Sequence, residues 1–492
     1  KLWIATRGAQ PVQAESVAVE QSPLWGLGRV IAMEHPEWWG GLIDLDPAGS
    51  ENEALSLATE ILEPEGEDHL AFRGGQRYAA RLAFRPFGSS RPEGSLQVRA
   101  DASYLITGGF GGLGLKLAQW LATRGAKRLA LMGRSGANET ADKVIRELEA
   151  AGVKVVAVKG DVSQEAQARR ALAEIQETLP PLRGVIHAAA ALDDALLIKL
   201  DWQRFAKVLA AKVDGAWNLH TLTQNTPLDF FILFSSATSL LGTPSQGNYA
   251  AGNAFLDALA HQRKAQNLPA LSVNWGVWAE VGLAAQAGRS ERLTLRGFQA
   301  MSPEAGVRAL ELAMGQSAAQ VAIMPINWTT YIQQLPPGCK PSLLAGLAVQ
   351  PVEEQPQKAQ IVSQLESAKP EERFDLLLGY VRSLGAAIMR FDSPDQLEPT
   401  QGFFQLGMDS LMAMELKNRL QTGLGRRLPP TVVFDYPTAA VLSRFLHDEM
   451  FPPSKESGAQ KDEAAAEIES LSRDELKALL DEELDLIEGL AE

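Results

Sequence analysis

The stretch SYLITGGFGGLGLKLAQWLATRGAKRLALMGRSG, residues 103–136, decides the fold. An apolar run near 103–106 precedes a glycine-rich turn, a segment with apolar residues at helical spacing follows, and a second apolar run covers 128–132. This alternation predicts a βαβ unit and with it an α/β domain on a parallel, Rossmann-like sheet. Thr107 and Gly108 lead into Gly109, Gly111 and Gly114, which form G-x-G-x-x-G. Such a turn is tight, lets the backbone approach a pyrophosphate and points free amides of a helix start at it. With 42 glycines in 492 residues, chance supplies roughly 0.3 such patterns, so the spacing decides nothing without its place between strand and helix.

The second strand runs into Gly133, Arg134 and Ser135, where an NAD enzyme offers a carboxylate to the adenosine ribose. An arginine there predicts NADPH, whose 2′-phosphate takes a charge-assisted contact; a surface arginine closing a strand is the plainer alternative. GDV at 160–162 closes the next strand and puts Asp161 and Val162 either beside the adenine or in an ordinary strand-end turn.

The chain is too long for one domain at roughly 150 residues each. Its single cysteine, Cys339, allows no internal disulfide or cysteine metal cluster, and its six histidines are scattered, so no metal is expected and a reducing cytosol is. No apolar run reaches the ~18 residues of a membrane span. The net charge of −14 is uneven: residues 461–492 hold 12 acidic and 3 basic residues, a balance of −9. The remainder offers no basic face for nucleic acid. RPFGSSRPEGS (85–95), AVQPVEEQPQKAQ (348–360) and FPPSKESGAQKDEAAAE (451–467) read as joints.

FFILFSSATSLLGTPSQGNYAAGNAFLDALA, residues 230–260, reads as a buried strand at 230–234, a loop with Ser235 and Ser236, and a helix opened by Tyr249. The spacing from Ser236 to Tyr249, the octet NYAAGNAF and AAKVDGAWNLH (210–220) resemble the ketoreductase domain of modular polyketide synthases, a branch of the short-chain dehydrogenases. In that branch the lysine that follows the tyrosine elsewhere is exchanged with an asparagine; Lys212 and Asn253 fit the exchanged places. Ketone reduction needs a proton on an oxygen gaining negative charge, so Tyr249 is expected to donate it while Ser236 hydrogen-bonds the same oxygen. The Lys212 ammonium is expected to favour the phenolate and Asn253 to position the lysine or a relay water.

HAAAALDDALL (187–197) resembles the segment between cofactor and substrate, with Ala190 where glycine is usual. Leu192, Asp193 and Asp194 match the LDD feature of B-type ketoreductases, which implies a D-configured (3R) hydroxyl; two aspartates capping a helix are the bland alternative. Leu241 is not the tryptophan of the A type, and Ala251 is not the proline of epimerising B types. NWGVWAEVGLAA (274–285) and the residues after it look like a substrate loop and lid. Residues 1–86 contain PLWGLGRVIAMEHPEWWGGLIDLDP, which resembles the structural subdomain of these enzymes without the glycine fingerprint. Its strand-like LWIAT begins at residue 2, so the resemblance implies an N-terminally incomplete subdomain.

GMDSL (407–411), the amphipathic ERFDLLLGYVRSLGAAIMRF and SLMAMELKNRLQTGLG, and PPTVVFDYPTAAVLSRFL resemble an all-α acyl carrier protein, with 4′-phosphopantetheine on Ser410 at a helix start, where amides and dipole favour the phosphodiester. EIESLSRDELKALLDEELDLIEGL (467–490) has helical apolar spacing and a capping box of Ser472 with Glu475. It resembles the C-terminal docking helices of polyketide synthases; a solvated acidic tail is the rival reading.

The expected organisation is a structural subdomain (1–86), a catalytic ketoreductase subdomain (98–336), a linker (337–365), a four-helix carrier protein (366–450), a second linker (451–466) and docking helices (467–492). The implied function is NADPH reduction of a carrier-bound β-ketoacyl thioester. The implied partners are ketosynthase and acyltransferase domains upstream, a downstream ketosynthase, a phosphopantetheinyl transferase and a second copy. The alternative is an inactive reductase fold serving as carrier and docking scaffold.

Overall fold

The computed structural model describes residues 1–12, 16–85, 98–282, 297–336, 339, 341–347, 360–389, 391, 393–408, 410–426, 428–429 and 431–452. The expected docking helices, 467–492, and the linker from 453 onward lie outside the described residues. The chain divides into two compact units, Lys1–Gln355 and Pro356–Glu492.

The first unit holds two sheets. The smaller uses β1 (Leu2–Arg7), β2 (Trp39–Leu45), β3 (His69–Arg73) and β4 (Gln76–Ala79) in that order, the first three parallel and the last antiparallel. Between β1 and β2 runs helix α1 (Pro23–Glu34), and α2 (Glu53–Leu62) links β2 to β3. The larger sheet is built from β5 (Ser103–Thr107), β6 (Arg128–Gly133), β7 (Lys154–Lys159), β8 (Leu182–His187), β9 (Phe230–Ser236), β10 (Leu271–Trp275) and β11 (Gln320–Ile323). Its order is β11-β10-β9-β8-β5-β6-β7, all parallel. The order reverses between β5 and β8, and ligands of open α/β sheets bind in the crevice at such a reversal.

The inner strands β5 and β10 are buried at every residue, as expected of parallel strands covered on both faces. Helices α3 (Gly112–Thr123), α4 (Glu139–Ala150) and α10 (Pro303–Met314) pack one face with Leu117, Trp120, Leu148 and Leu310. On the other, α5 (Glu165–Thr178), α7 (Gly215–Leu222) and α9 (Gly247–Ala265) contribute Leu172, Leu219, Phe255 and Leu259. Two short helices, α6 (Trp202–Leu209) and α8 (Thr238–Leu241), border the reversal.

The half that carries the smaller sheet is packed directly on α9. A Cβ at Gly26 of α1 would stand 2.2 Å from the Ala250 carbonyl oxygen of α9, so only glycine permits this approach.

The second unit is helical: Gln360–Ser367, Pro370–Met389, Ser410–Leu424, Val432–Asp435 and Ala439–Met450. The last four are the helices expected of a carrier protein, around a core that includes Leu377, Phe403, Leu416, Val432 and Leu442. The helix Gln360–Ser367 begins inside the stretch assigned to the linker, and Leu365 is fully buried in the carrier core. At the other end of that stretch, Leu344 packs with Leu241 and Tyr331 of the first unit. Composition alone marks polar, proline-rich chain as a tether, whereas the apolar spacing of QIVSQLES is what fixes its helix.

Candidate functional site

Tyr249, Asn253 and Asp257 follow each other at four-residue steps on α9 and therefore share one face. That face meets the C-terminal end of β9, where Ser236 is the last strand residue. Ser236 Oγ accepts a hydrogen bond from Thr238 N at 3.2 Å, which leaves its own proton for a ligand oxygen. Asn253 Nδ2 donates to Tyr249 O at 2.8 Å, one turn back, and Asn253 Oδ1 is buried with no hydrogen-bond partner among the described residues.

Lys212 arrives from a different direction. Residues Ala210–Asp214 form a π-helical turn between α6 and α7, the kind of widened turn that recurs at functional sites. It turns Lys212 inward until only 2% of the residue is exposed. The Lys212 ammonium donates to Phe234 O at 2.6 Å and stands 5.7 Å from the centre of the Tyr249 ring. A Cβ at Gly252 would lie 3.0 Å from Lys212 Cβ, so the glycine of NYAAGNAF makes room for the lysine stem. The structure thus brings Ser236, Tyr249, Asn253 and Lys212 together at the sheet reversal.

The electrostatics differ from the expectation that an ammonium lowers the tyrosine. Burial pushes the Tyr249 phenol up to about 12; the Asn253 side chain opposes the rise, the Asp194 carboxylate adds to it and Ser236 opposes it. Burial likewise pushes the Lys212 amine down to about 7, against the pull of Asp257. At both groups desolvation outweighs the surrounding charges and hydrogen bonds. The phenol therefore keeps its proton, and the amine titrates near neutrality.

The segment 192–194 is tied to the start of α9. Asp193 accepts from Arg204 Nη1 at 2.8 Å and Lys207 Nζ at 2.7 Å, and its backbone carbonyl accepts from Asn248 Nδ2 at 2.8 Å. Asp194 Oδ2 accepts from Gln246 Nε2 at 2.9 Å, and Leu192 is half-buried beside them. Neither aspartate caps a helix; both hold a loop within reach of Tyr249.

The dinucleotide turn fits its expected cofactor. Gly108 has φ of +69°, and a Cβ on it would meet the Ala188 backbone at 2.9 Å. A Cβ at Gly109 would lie 2.9 Å from Leu131 Cβ, and one at Gly114 2.3 Å from Gly108 O. Gly111 caps α3 and has more room, its nearest neighbour being Gly108 O at 3.4 Å. Thr107 Oγ1 is held 2.8 Å from His187 Nδ1, whose ring burial pushes down to about 3, with Lys212 adding to the fall. Arg134 and Ser135 are exposed at the end of β6, and no hydrogen bond or ion pair engages the Arg134 guanidinium among the described residues. Asp161 Oδ1 accepts from Ser163 N and Oγ at 3.0 and 2.7 Å, and Val162 is buried with its carbonyl accepting from Asn218 Nδ2 at 3.0 Å. Both residues sit in the turn after β7, tied to Ser163 and to Asn218 of α7. Ser410 opens the helix Ser410–Leu424, whereas Asp409 lies outside the described residues.

Two supporting groups escape the motif reading. Asp257, two turns after Tyr249, is a buried carboxylate that accepts from Ser272 Oγ at 2.6 Å, Ser239 Oγ at 2.7 Å and Asn274 Nδ2 at 2.8 Å. A lone acid inside the apolar run FLDALA is its sequence signal. Asn248 spans Asp193 O and Arg204 O; nothing but its place beside Tyr249 marks it.

Three family models cover the chain: the KR domain over residues 102–280, the phosphopantetheine attachment site over 380–446, and the Rossmann fold domain of the polyketide synthase extender module SpnB over 1–82. Over 70% of its length the chain matches the structure of A-type ketoreductases from modular polyketide synthase, with 37% identity, a TM-score of 0.66 and 73% of that chain covered. The chain belongs to the modular polyketide synthases. It is 38% identical to the pikromycin polyketide synthase component PikAIII of Streptomyces venezuelae and 37% identical to the polyketide synthase GfsA of Streptomyces halstedii, each over 92% of its length. It spans 30% of the first and 6% of the second. The polyketide synthase unit here is a ketoreductase followed by a carrier domain. Ketoreductase domains use NADPH and phosphopantetheine-attachment domains carry 4′-phosphopantetheine, in agreement with the two cofactors expected from sequence. Among the described residues no group of three or more acidic, histidine or cysteine side chains could hold a metal ion, and no helix is long and apolar enough to cross a membrane.

Proposed function

We propose that the chain reduces a β-ketoacyl thioester, tethered through phosphopantetheine on Ser410, to the D (3R) β-hydroxyacyl thioester. The observation that carries this reading is the convergence of Ser236, Tyr249, Lys212 and Asn253 where the sheet order reverses, above the glycine turn.

Gly108, Gly109, Gly111 and Gly114 would hold NADPH, with Arg134 and Ser135 toward its 2′-phosphate, and the cofactor would supply the hydride. The protein's residues do the rest. Ser236 and Tyr249 hydrogen-bond the ketone oxygen and hold the thioester facing the cofactor. As that oxygen gains charge, Tyr249 gives up its phenolic proton. A phenol pushed up to about 12 is a proton source that does not ionise beforehand. Lys212, with donors to spare beyond Phe234 O, and the unpartnered Asn253 Oδ1 frame the path by which a water returns the proton. Leu192, Asp193 and Asp194, fixed to the start of α9, set the side from which the acyl chain enters; the B-type product follows from this triplet. Asp161 and Val162 flank the adenine.

The organisation proposed is that given from sequence, with the carrier extended to residue 360 by the packed helix. Ketosynthase and acyltransferase domains of the same module supply the β-ketoacyl chain, as relatives of this modular kind suggest. A phosphopantetheinyl transferase loads Ser410, residues 467–492 dock onto the ketosynthase of the next subunit, and the assembly is dimeric. The cytosol, with its NADPH, suits the reaction.

The test is NADPH oxidation with a short β-ketoacyl thioester, comparing the chain with Tyr249→Phe, followed by chiral analysis of the product. Consumption that vanishes in the variant is the expected result. A folded chain that binds NADPH and consumes none overturns reduction and leaves the carrier-scaffold reading, while an L product removes the B-type assignment alone.

A further inference from the structure

The last residue of α1, Glu34, belongs to the half without a glycine fingerprint, yet its carboxylate ends between the two loops that flank Tyr249. Glu34 Oε2 accepts from Leu197 N at 2.9 Å and Oε1 accepts from Ser245 N at 2.7 Å. Leu197 comes three residues after the 192–194 triplet ends, and Ser245 comes four residues before Tyr249. An acid at a helix C-terminus works against the helix dipole, and burial at 1% exposure works against its charge. Helix formation therefore gives no reason for a carboxylate here. The two backbone amides do, one for each oxygen.

The geometry around those amides is already constrained. Ser245 has φ of +70°, a left-handed conformation disfavoured for a residue with a side chain. Its carbonyl accepts from Ala195 N at 2.9 Å, while Gln246 reaches Asp194 and Asn248 reaches Asp193 across the same gap. The loops are thus clamped to each other on one side and to Glu34 on the other. Arg29, earlier on α1, donates to Ser239 O of α8, the helix that leads into the second loop.

We propose that Glu34 is a positioning residue for ketone reduction, its carboxylate fixing the separation of the 192–197 and 243–248 loops and thereby which face of the ketone meets the cofactor. The proposal rests on the reductase reading given above. Neither loop lies on the glycine turn, so the carboxylate is expected to act on the ketone rather than on cofactor affinity.

Glu34→Gln keeps the size but replaces one acceptor with a donor that faces an N–H; Glu34→Asp keeps the charge but draws it back by one methylene. With the full chain and a racemic 2-methyl-3-oxopentanoyl thioester, each variant is expected to bind NADPH within twofold of the parent. Each is also expected to lose at least tenfold in kcat and to turn a single alcohol isomer into a mixture. Amide exchange at Leu197 and Ser245 should rise at least tenfold in both. Variants that keep kcat, isomer ratio and exchange overturn the proposal, as does failure of both to fold, which makes Glu34 a folding element only. A parent chain that consumes no NADPH defeats the reductase reading instead, and the exchange measurement then decides alone whether Glu34 holds the loops.

Discussion

After β1 the chain turns through Gly8, Ala9 and Gln10; after β5 it turns through Gly108, Gly109 and Phe110. Both turns begin with a glycine at positive φ, +66° and +69°, and both lie at the C-terminal end of a parallel strand. In the second, glycines keep side chains out of the space above the helix start. In the first, a side chain of the protein fills the anion's place. Asp44 of β2, fully buried, accepts from Ala9 N at 2.8 Å, Gln10 N at 3.0 Å, Thr6 Oγ1 at 2.6 Å and Arg73 Nη2 at 2.6 Å. The structural half has satisfied its own turn from within. The half with the larger sheet instead keeps Arg134 exposed and Asn253 Oδ1 buried with no hydrogen-bond partner among the described residues.

The contrast predicts opposite responses to substitution. Asp44→Ala removes the buried carboxylate that faces Arg73 and two amides, so it should lower unfolding free energy by about 3–5 kcal/mol, read from urea denaturation; a loss under about 1 kcal/mol breaks the comparison. Lys212→Met should instead stabilise the cofactor-free chain. The unfolded lysine holds its proton up to 10.5 and the folded one only to about 7. Stability therefore rises as pH rises between these values, and folding carries the full penalty below pH 7. Removing the amine should add about 2–4 kcal/mol at pH 7, a gain that fades by pH 10, while reduction slows. Denaturation at both pH values checks the sign.

Smaller effects sharpen the picture. Gly114→Ala forces a methyl against Gly108 O and should cost about 1–3 kcal/mol, seen mainly as weaker NADPH binding in a fluorescence titration. Gly66→Ala, at a site with open space around it, should leave cofactor affinity alone. Arg134→Ala should cost about tenfold in NADPH affinity and leave NADH unchanged; equal loss for both cofactors assigns the arginine to some other role.

The parts of this molecule that the sequence discloses are those carried by short spacing. The glycine turn, the step from Tyr249 to Asn253 and the helix opened by Ser410 each fit within a few residues. What remained hidden depends on partners far along the chain. Asp44 reads as a polar residue near the end of a strand, and only the fold shows it 35 residues from the amide it holds. Glu34 reads as the end of a helix. The level of the Tyr249 and Lys212 protons follows from burial, which no spacing reports. Lys212 sits in AAKVDGAWNLH, where composition suggests an ordinary helix and the widened turn has no signature.

That widened turn makes the site sensitive to chain length in a way that side-chain substitution does not. In a regular helix each residue advances about 100° around the axis. Ala210–Asp214 absorbs one residue more than a regular turn holds, so deleting a single alanine there would relax the bulge and rotate the lysine away from the tyrosine, although every side chain of the site would still be present in the sequence. A frame of one residue decides whether those side chains meet.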